Sequence, residues 1–456
     1  MNNGDRATKA TFSSGMEKLT ALAKLGYGAG DFAANIVFQT VTLFLLYFFT
    51  DVFMLGASTA GVIFFIAKIW NAGCDPTMGF IADRTETRWG RNRPFLLFGA
   101  VPLGTAFFLL FASPELSPSA RTAYALVAFL AFSTAYSVIN IPYGALTANL
   151  TLDTNERSSL TGYRMAFAIL GTLLAAGATK PIVSLFSDQT TGFRMIGLIF
   201  GGLCVIVNII TFASVRERVM PPREEGMSFI QDLKLVAKNS PFVILTVSTI
   251  LQMMAINLLA AMINYYFKYN LQAESYIPAA FLCLFATAMV ALPLWIYVSS
   301  KLSKKTALIF GMGLLGSVLI GLKFVPSGNI TPVLVLFVIG GVGMSTQYLC
   351  PWSMIPDTVE YSQLKTGHRR EGILYGFFNF AFKFSAAFSG IIAGFGLDLV
   401  RYVPNAVQED ITLRGISMMM TVVPFCLIIA GIILISFYPI DASTHAKIVA
   451  ELEAKK

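Results

Sequence analysis

The chain has 456 residues, 55% hydrophobic and only 13% charged, with a formal net charge of +8. A soluble chain carries about 25% charged residues, so most side chains here are not expected to face water. This excludes an ordinary soluble enzyme, and the basic excess fits membrane loops better than a nucleic-acid surface.

The segment through Lys24 is polar and lacks the apolar core and small-residue cleavage site of a secretion signal, so the first span is expected to be retained. A span needs about 20 mostly apolar residues. Such runs are expected at 28–49, 58–82, 95–112, 122–143, 161–183 and 195–215, then at 242–267, 278–299, 307–324, 331–355, 373–400 and 416–437. The fold class is therefore an all-α membrane protein of twelve transmembrane helices in two six-helix bundles. The expected domains are an N-terminal bundle over 1–215, a linker over 216–240, a C-terminal bundle over 241–438 and a tail over 439–456. The linker holds Pro221-Pro222, Glu224-Glu225 and an amphipathic surface helix around Phe229 to Val236.

Basic residues mark one set of loops: Lys18 and Lys24, Arg84 to Arg93, Arg157, Arg216 to Lys238, Lys301 to Lys305, and Lys365 to Arg370. The alternate loops are short and nearly neutral, except the longer 401–414, where Glu409 and Asp410 offset the arginines. Positive residues stay inside, so both termini are expected in the cytoplasm, which requires an even number of spans. Cys74, Cys204, Cys283, Cys350 and Cys426 lie in apolar stretches, without metal-ligand spacing and in odd number, which argues against a disulfide framework. His368 and His445 fall outside the spans, no nucleotide loop or H-E-x-x-H motif is present, and no soluble domain is large enough for an ATPase.

At the end of the second span stands Gly79-x-x-x-Asp83-Arg84, followed by Arg88-Trp89-Gly90-Arg91-Asn92-Arg93-Pro94. Gly79 would let two helices approach closely, and Asp83 would pair with a basic residue or cap a helix N-terminus. These residues, with Arg84, Arg88 and Arg91, are gating candidates; the plain alternative is a solvated basic loop. The pattern resembles the loop between helices two and three of the major facilitator superfamily. In the second half only Ser300-Lys301-Leu302-Ser303-Lys304-Lys305 echoes it.

Further stretches run the length of the chain: Tyr27-Gly28-x-Gly30-Asp31, Tyr47-Phe48-Phe49-Thr50-Asp51, Asp75-Pro76-x-Met78-Gly79, Asn140-Ile141-Pro142-Tyr143, Glu156-Arg157, and Pro356-Asp357-Thr358-Val359-Glu360-Tyr361, with Lys383 beyond. In this order they resemble the glycoside–pentoside–hexuronide:cation symporters, the melibiose-permease-like group. The resemblance implies a non-enzymatic carrier in the bacterial inner membrane, taking up sugars or their derivatives with a cation. The partners implied are a small sugar, a monovalent cation and the bilayer; a monomer without cofactor is expected, the coupling ion being H⁺ or Na⁺. The chain departs from that pattern where the family has paired aspartates in helix two, here Asn71 and Asp75. It departs again at the galactosyl-binding aspartates, here Asn35 and Asn140, and at two tryptophans, here Gly144 and Tyr348. Arg164, Lys383 and Ser137 match. The resemblance therefore does not extend to galactoside recognition.

A charge deep in a span costs at least about 2.5 kcal/mol and is a functional candidate. Asn71 and Asp75, Asn35 and Gln39, and Asn379 and Lys383 form pairs one turn apart, which present polar groups on shared helix faces. Asp75 with Asn71 and Ser137 is the candidate cation-coupling group, with Asp75 as a Na⁺ ligand or a proton carrier. Asn35, Gln39, Asn140, Arg164, Tyr348, Asn379 and Lys383 are the candidate substrate contacts, with Phe38, Tyr163 and Tyr375 as further stacking surfaces. Asp75 and Lys383 are expected to meet in a wet space, or to form a plain structural ion pair. If Arg164 faces the same space, the site is net positive and suits an anionic uronide or sulfonated sugar; otherwise Arg164 snorkels to the headgroups. The rival functions are an uncoupled facilitator, a cation-coupled carrier of an amphipathic lipid, and a membrane-embedded enzyme or sensor.

Overall fold

The computed structural model describes residues 19–151, 154–218, 236–326, 329–366 and 371–454. Helices follow in the order α1 (Ala21–Tyr47), α2 (Ala57–Arg84), α3 (Arg93–Phe111), α4 (Pro118–Leu150), α5 (Thr154–Ser184) and α6 (Gln189–Ser214). After the break come α7 (Ser240–Tyr265), α8 (Ile277–Val290), α9 (Leu292–Lys301), α10 (Lys304–Leu322), α11 (Ile330–Thr366), α12 (Glu371–Leu399), α13 (Asp410–Met420), α14 (Val422–Ser436) and α15 (Ala442–Ala454). Among the described residues, 11 helices are long and apolar enough to cross a membrane, and the α8–α9 pair makes up to 12. That pair covers the run expected at 278–299 and bends by 42°. Pro293 has no N–H to donate, and its ring crowds the carbonyl one turn back, which breaks the helix there. Of the surface helix expected around Phe229, only Val236 lies within the described residues.

The chain clusters into two compact units, Met1–Leu55 with Ile66–Glu225, and Gly56–Phe65 with Gly226–Lys456. In the first, α1 packs on α5 and α6, and α3 packs on α4 and α6. Small residues let these backbones touch. A Cβ on Gly104 of α3 would stand 2.8 Å from the carbonyl oxygen of Gly201 on α6, and the reverse holds at 2.8 Å. In the second unit α7 packs on α12 and α14, and α11 packs on α8 and α10. The opening turns of α2 belong to this unit: Gly61 faces α12, where a Cβ would meet the Gly390 carbonyl at 2.8 Å.

An internal repeat is visible where α1 and α7 end. Each continues into a five-residue π-helical turn, Phe48–Val52 and Tyr266–Asn270. The closing bonds correspond one for one: Phe53 N–H to Phe48 O at 2.8 Å and Leu271 N–H to Tyr266 O at 3.0 Å, then Leu55 to Phe49 and Ala273 to Phe267, both 2.8 Å. Both turns exit through a left-handed residue, Met54 (φ 59) and Gln272 (φ 52).

Long-range side chains tie down the helix ends. The first backbone N–H groups of a helix lack intrahelical acceptors. At α3 a carboxylate from beyond α6 supplies them: Glu217 accepts from the N–H of Arg91 (3.0 Å), Asn92 (2.7 Å) and Arg93 (2.9 Å), and from Asn149 Nδ2 (3.1 Å). In the second unit Lys304 Nζ donates to both Asp357 oxygens at 2.8 and 2.9 Å. The tail helix α15 docks beside it through His445 Nε2, 2.6 Å from Glu360 Oε2. Replacing Glu217 by alanine leaves those N–H groups without their anion and is expected to cost about 1–2 kcal/mol. A lower thermal midpoint in detergent, with the helical content of the folded state unchanged, is the expected readout.

Candidate functional site

The first unit holds a buried polar joint where α1, α4 and α5 meet. Arg164 Nε donates to Asp31 Oδ2 at 2.5 Å, and Arg164 Nη1 donates to Thr147 Oγ1 at 3.1 Å. Tyr143 Oη lies 2.9 Å from the same Asp31 oxygen and 2.6 Å from the Tyr27 carbonyl. Tyr27 Oη returns the bond to the Tyr143 carbonyl at 3.0 Å, and the two rings stand 4.9 Å apart. Gly28 admits α5 closely: a Cβ there would lie 3.1 Å from the Tyr163 carbonyl. Gly30 leaves the space that the Tyr143 ring fills. The Tyr27-Gly28-x-Gly30-Asp31 and Asn140-Ile141-Pro142-Tyr143 motifs are therefore the two sides of one joint.

This corrects the charge count drawn from sequence. Arg164 neither snorkels nor stands as an uncompensated cation; Asp31, not counted as a deep charge, neutralises it. The net positive site derived from Arg164 falls with that pairing.

The cation-coupling candidates do come together. Ser137 Oγ on α4 donates to Asp75 Oδ1 at 2.6 Å, while Asn71 Nδ2, one turn before Asp75 on α2, donates to Ser137 Oγ at 2.8 Å and to the Ser133 carbonyl at 3.1 Å. The Ser137 hydroxyl thus passes the Asn71 amide's hydrogen bond on to the carboxylate. The Asn71 nitrogen faces α4, which turns its oxygen the other way. A hard cation would thus find one carboxylate and one amide oxygen on α2, and a proton would find the carboxylate.

Asn35 Nδ2 donates to the Asp31 carbonyl at 2.8 Å on its own helix, and Gln39 and Asn140 are half-buried. A Cβ at Gly144, one turn beyond Asn140, would meet nothing within 4 Å, so α4 is open there. In the second unit Gly376, Asn379 and Lys383 follow one helix face of α12. Asn379 is exposed, Lys383 is half-buried and engaged, and a Cβ at Gly376 would meet nothing within 4 Å. Tyr348 on α11 is 41% exposed, while its neighbour Gln347 is fully buried with neither amide atom hydrogen-bonded. Tyr375 stacks on Trp352, with centroids 6.4 Å apart.

The loop after α2 differs from expectation in its acceptor. Gly79 is not a point of close helix approach in the first unit, where a Cβ would meet only Ile141 Cγ2 at 3.9 Å. The Asp83 side chain lies outside those described. Glu217 caps α3, the role foreseen for Asp83, and the Arg91 N–H is among its donors. Arg84 and Arg88 lie over the rings of Phe80 (3.5 Å) and Trp89 (4.4 Å). Glu217 carries no sequence signal of its own, since it sits in a charged linker far from Arg91.

Sequence reading also passed over Lys68 and Lys180, two lysines inside apolar spans. Lys68 is 8% exposed and Lys180 7%. Lys180 lies 3.9 Å over the Tyr47 ring and is engaged further. The Lys68 ammonium lies 4.7 Å from the Phe38 ring centroid.

A bundle of helices long and apolar enough to cross a membrane, with charged and amide side chains inside the spans, fits a polytopic solute carrier. The family model for "MFS/sugar transport protein" matches residues 26–442, and the chain belongs to that family. It is 36% identical over 447 residues to the uncharacterized symporter YnaJ of Bacillus subtilis, covering 97% of this chain and 96% of that one. It is 30% identical over 446 residues to an Escherichia coli protein provisionally named a sulfoquinovose importer, covering 96% and 95%. The crystal structure of the nucleoside transporter NupG superposes with a TM-score of 0.64 at 14% identity, over 92% of this chain and 100% of that one, which confirms the fold.

Removing one member of a buried ion pair strands the other, at about 3–5 kcal/mol. Asp31→Asn and Arg164→Gln are each expected to destabilise the protein by that order. The double variant should lose much less than the sum of the two, as read by a thermal-unfolding double-mutant cycle.

Proposed function

We propose that the chain is a secondary active symporter that takes up a sugar or sugar derivative across the bacterial cytoplasmic membrane. H⁺ or Na⁺ drives it, and access alternates between the two faces. The observation that carries this reading is the Asn71–Ser137–Asp75 relay, in which Asn71 on α2 donates to Ser137 on α4 and Ser137 donates to the Asp75 carboxylate inside the span. An intramembrane carboxylate so placed is held at a cost that a coupling role explains. A cation bound there removes the local negative charge and alters the field felt by solute beside it. Asn35, Gln39, Asn140 and Arg164 in the first unit, and Tyr348, Asn379 and Lys383 in the second, supply amide, phenol and cationic groups suited to sugar hydroxyls and ring faces. Both termini lie in the cytoplasm on this reading, and the basic loop after α2, with Arg84, Arg88 and Arg91, belongs to the gate. The protein works as a monomer without a cofactor.

The competing reading is an uncoupled facilitator. One transported charge in a potential worth about 2.3 kcal/mol per 100 mV sustains roughly 50-fold accumulation. Asp75→Asn is expected to abolish that accumulation in proteoliposomes while sugar counterflow persists, and repetition with and without Na⁺ identifies the ion. Unchanged accumulation in the variant would remove Asp75 from the coupling, whereas no accumulation in the wild type under any gradient would favour the facilitator.

A further inference from the structure

Lys68 has no part in the relay, the Asp31–Arg164 joint or the helix caps. It lies on α2, which spans Ala57–Arg84, roughly 16 Å from one end and 24 Å from the other at 1.5 Å rise per residue. A lysine at that depth cannot snorkel to either headgroup layer. Only 8% of its surface is exposed, so it does not stand in lipid either. No hydrogen bond or ion pair reaches it among the described residues; its one neighbour of note is the Phe38 ring, 4.7 Å away. Phe38 in turn stacks on Tyr136 of α4, with centroids 5.4 Å apart and 28° between planes. Lys68 precedes Asn71 by three residues and Asp75 by seven, so all three share one face of α2.

The other cations in the spans of this unit are differently placed. Arg164 is held by Asp31, and Lys180 is engaged beside Tyr47. The nearest carboxylate along the Lys68 face, Asp75, is two turns away and takes its bond from Ser137. A buried ammonium with an aromatic ring on one side and no anion is a cation awaiting one, because a bare charge out of water is strongly disfavoured. The ring adds attraction but cannot replace a counter-ion.

We propose that Lys68 is the anion-binding residue of the substrate site: its ammonium receives the carboxylate or sulfonate of an acidic sugar beside the stacked Phe38 and Tyr136 rings. The inference rests on the sugar-symporter reading and deepens it. It moves the anionic group from Arg164, where sequence placed it, to a cation with no partner of its own. It also gives coupling a physical route: a cation on Asp75 cancels the carboxylate two turns from Lys68, which strengthens the positive field that draws the substrate anion.

The test is competition for counterflow in proteoliposomes, with methyl glucoside, methyl glucuronide and methyl sulfoquinovoside as competitors. In the wild type the two acids are expected to compete at least about tenfold more strongly than the neutral glucoside. Lys68→Gln should erase that preference while methyl glucoside binding changes by less than about threefold, and Lys68→Arg, which keeps the charge, should retain it. A wild type that recognises methyl glucoside but ignores the acidic group overturns the role of Lys68 and leaves the sugar-symporter reading standing. A wild type that recognises none of the three overturns both. Equal loss of neutral and acidic competition in Lys68→Gln, with Lys68→Arg no better, assigns Lys68 to packing and overturns the proposal. If Lys68→Gln does not assemble, the wild-type preference and the Lys68→Arg result decide the matter.

Discussion

Two opposite charges placed out of water constrain everything near them. Asp31 on α1 and Arg164 on α5 satisfy one another, but a carboxylate and a guanidinium have more bonding capacity than one contact uses. Thr147 and the Tyr143 hydroxyl take up part of the remainder, and the Tyr27 hydroxyl bonds back to α4. Each bond fixes the rotation of a helix about its own axis. Once α1, α4 and α5 are locked in this way, the residues one to two turns further along α1 and α4 are placed as well. Asn35 and Phe38 on α1, and Tyr136, Ser137 and Asn140 on α4, face where the joint makes them face.

That rigid frame presents α2 with its partners. Asn71 and Asp75 meet Ser133 and Ser137 because α4 is held in register, and Trp70 Nε1 adds a bond to Thr134 Oγ1 at 2.9 Å. The result is a polar strip on α2 with a cation at one end and an anion at the other. On the proposed mechanism these are complementary duties. Asp75 exchanges its cation, Lys68 meets the acidic group of the solute, and each changes the electrostatic energy of the other across two helical turns. Charges within one unit then suffice to link ion and solute.

The helix ends follow a different logic. Glu217, the Lys304–Asp357 pair and the His445–Glu360 contact bring together groups far apart in sequence near the ends of helices. The lysines of the loop before α10 are anchored in this way: Lys304 to Asp357, and Lys305 to the carbonyls of Ser436 and Tyr438. This accounts for the Asp357 and Glu360 of the motif at the end of α11, which act as anchors for a loop and for the tail helix.

Apolar run length is a property of contiguous residues, so the spans were legible in the sequence; the orientation expected from loop charge rests on the same kind of local count. The Asn71, Asp75 and Ser137 set was legible for a similar reason: helical spacing aligns two of them, and the family pattern supplies the third. What the sequence could not decide was which charges cancel. Asp31 and Arg164 lie on α1 and α5, and nothing local distinguishes Arg164 as paired from Arg164 as free. Lys68 carries no local signal that sets it apart; its burial against Phe38 does. The bend at Pro293 and the capping of α3 by Glu217 belong to the same class. A span's existence follows from the hydrophobic effect acting along the chain, whereas the state of a buried charge depends on partners that only tertiary packing brings within a few ångströms.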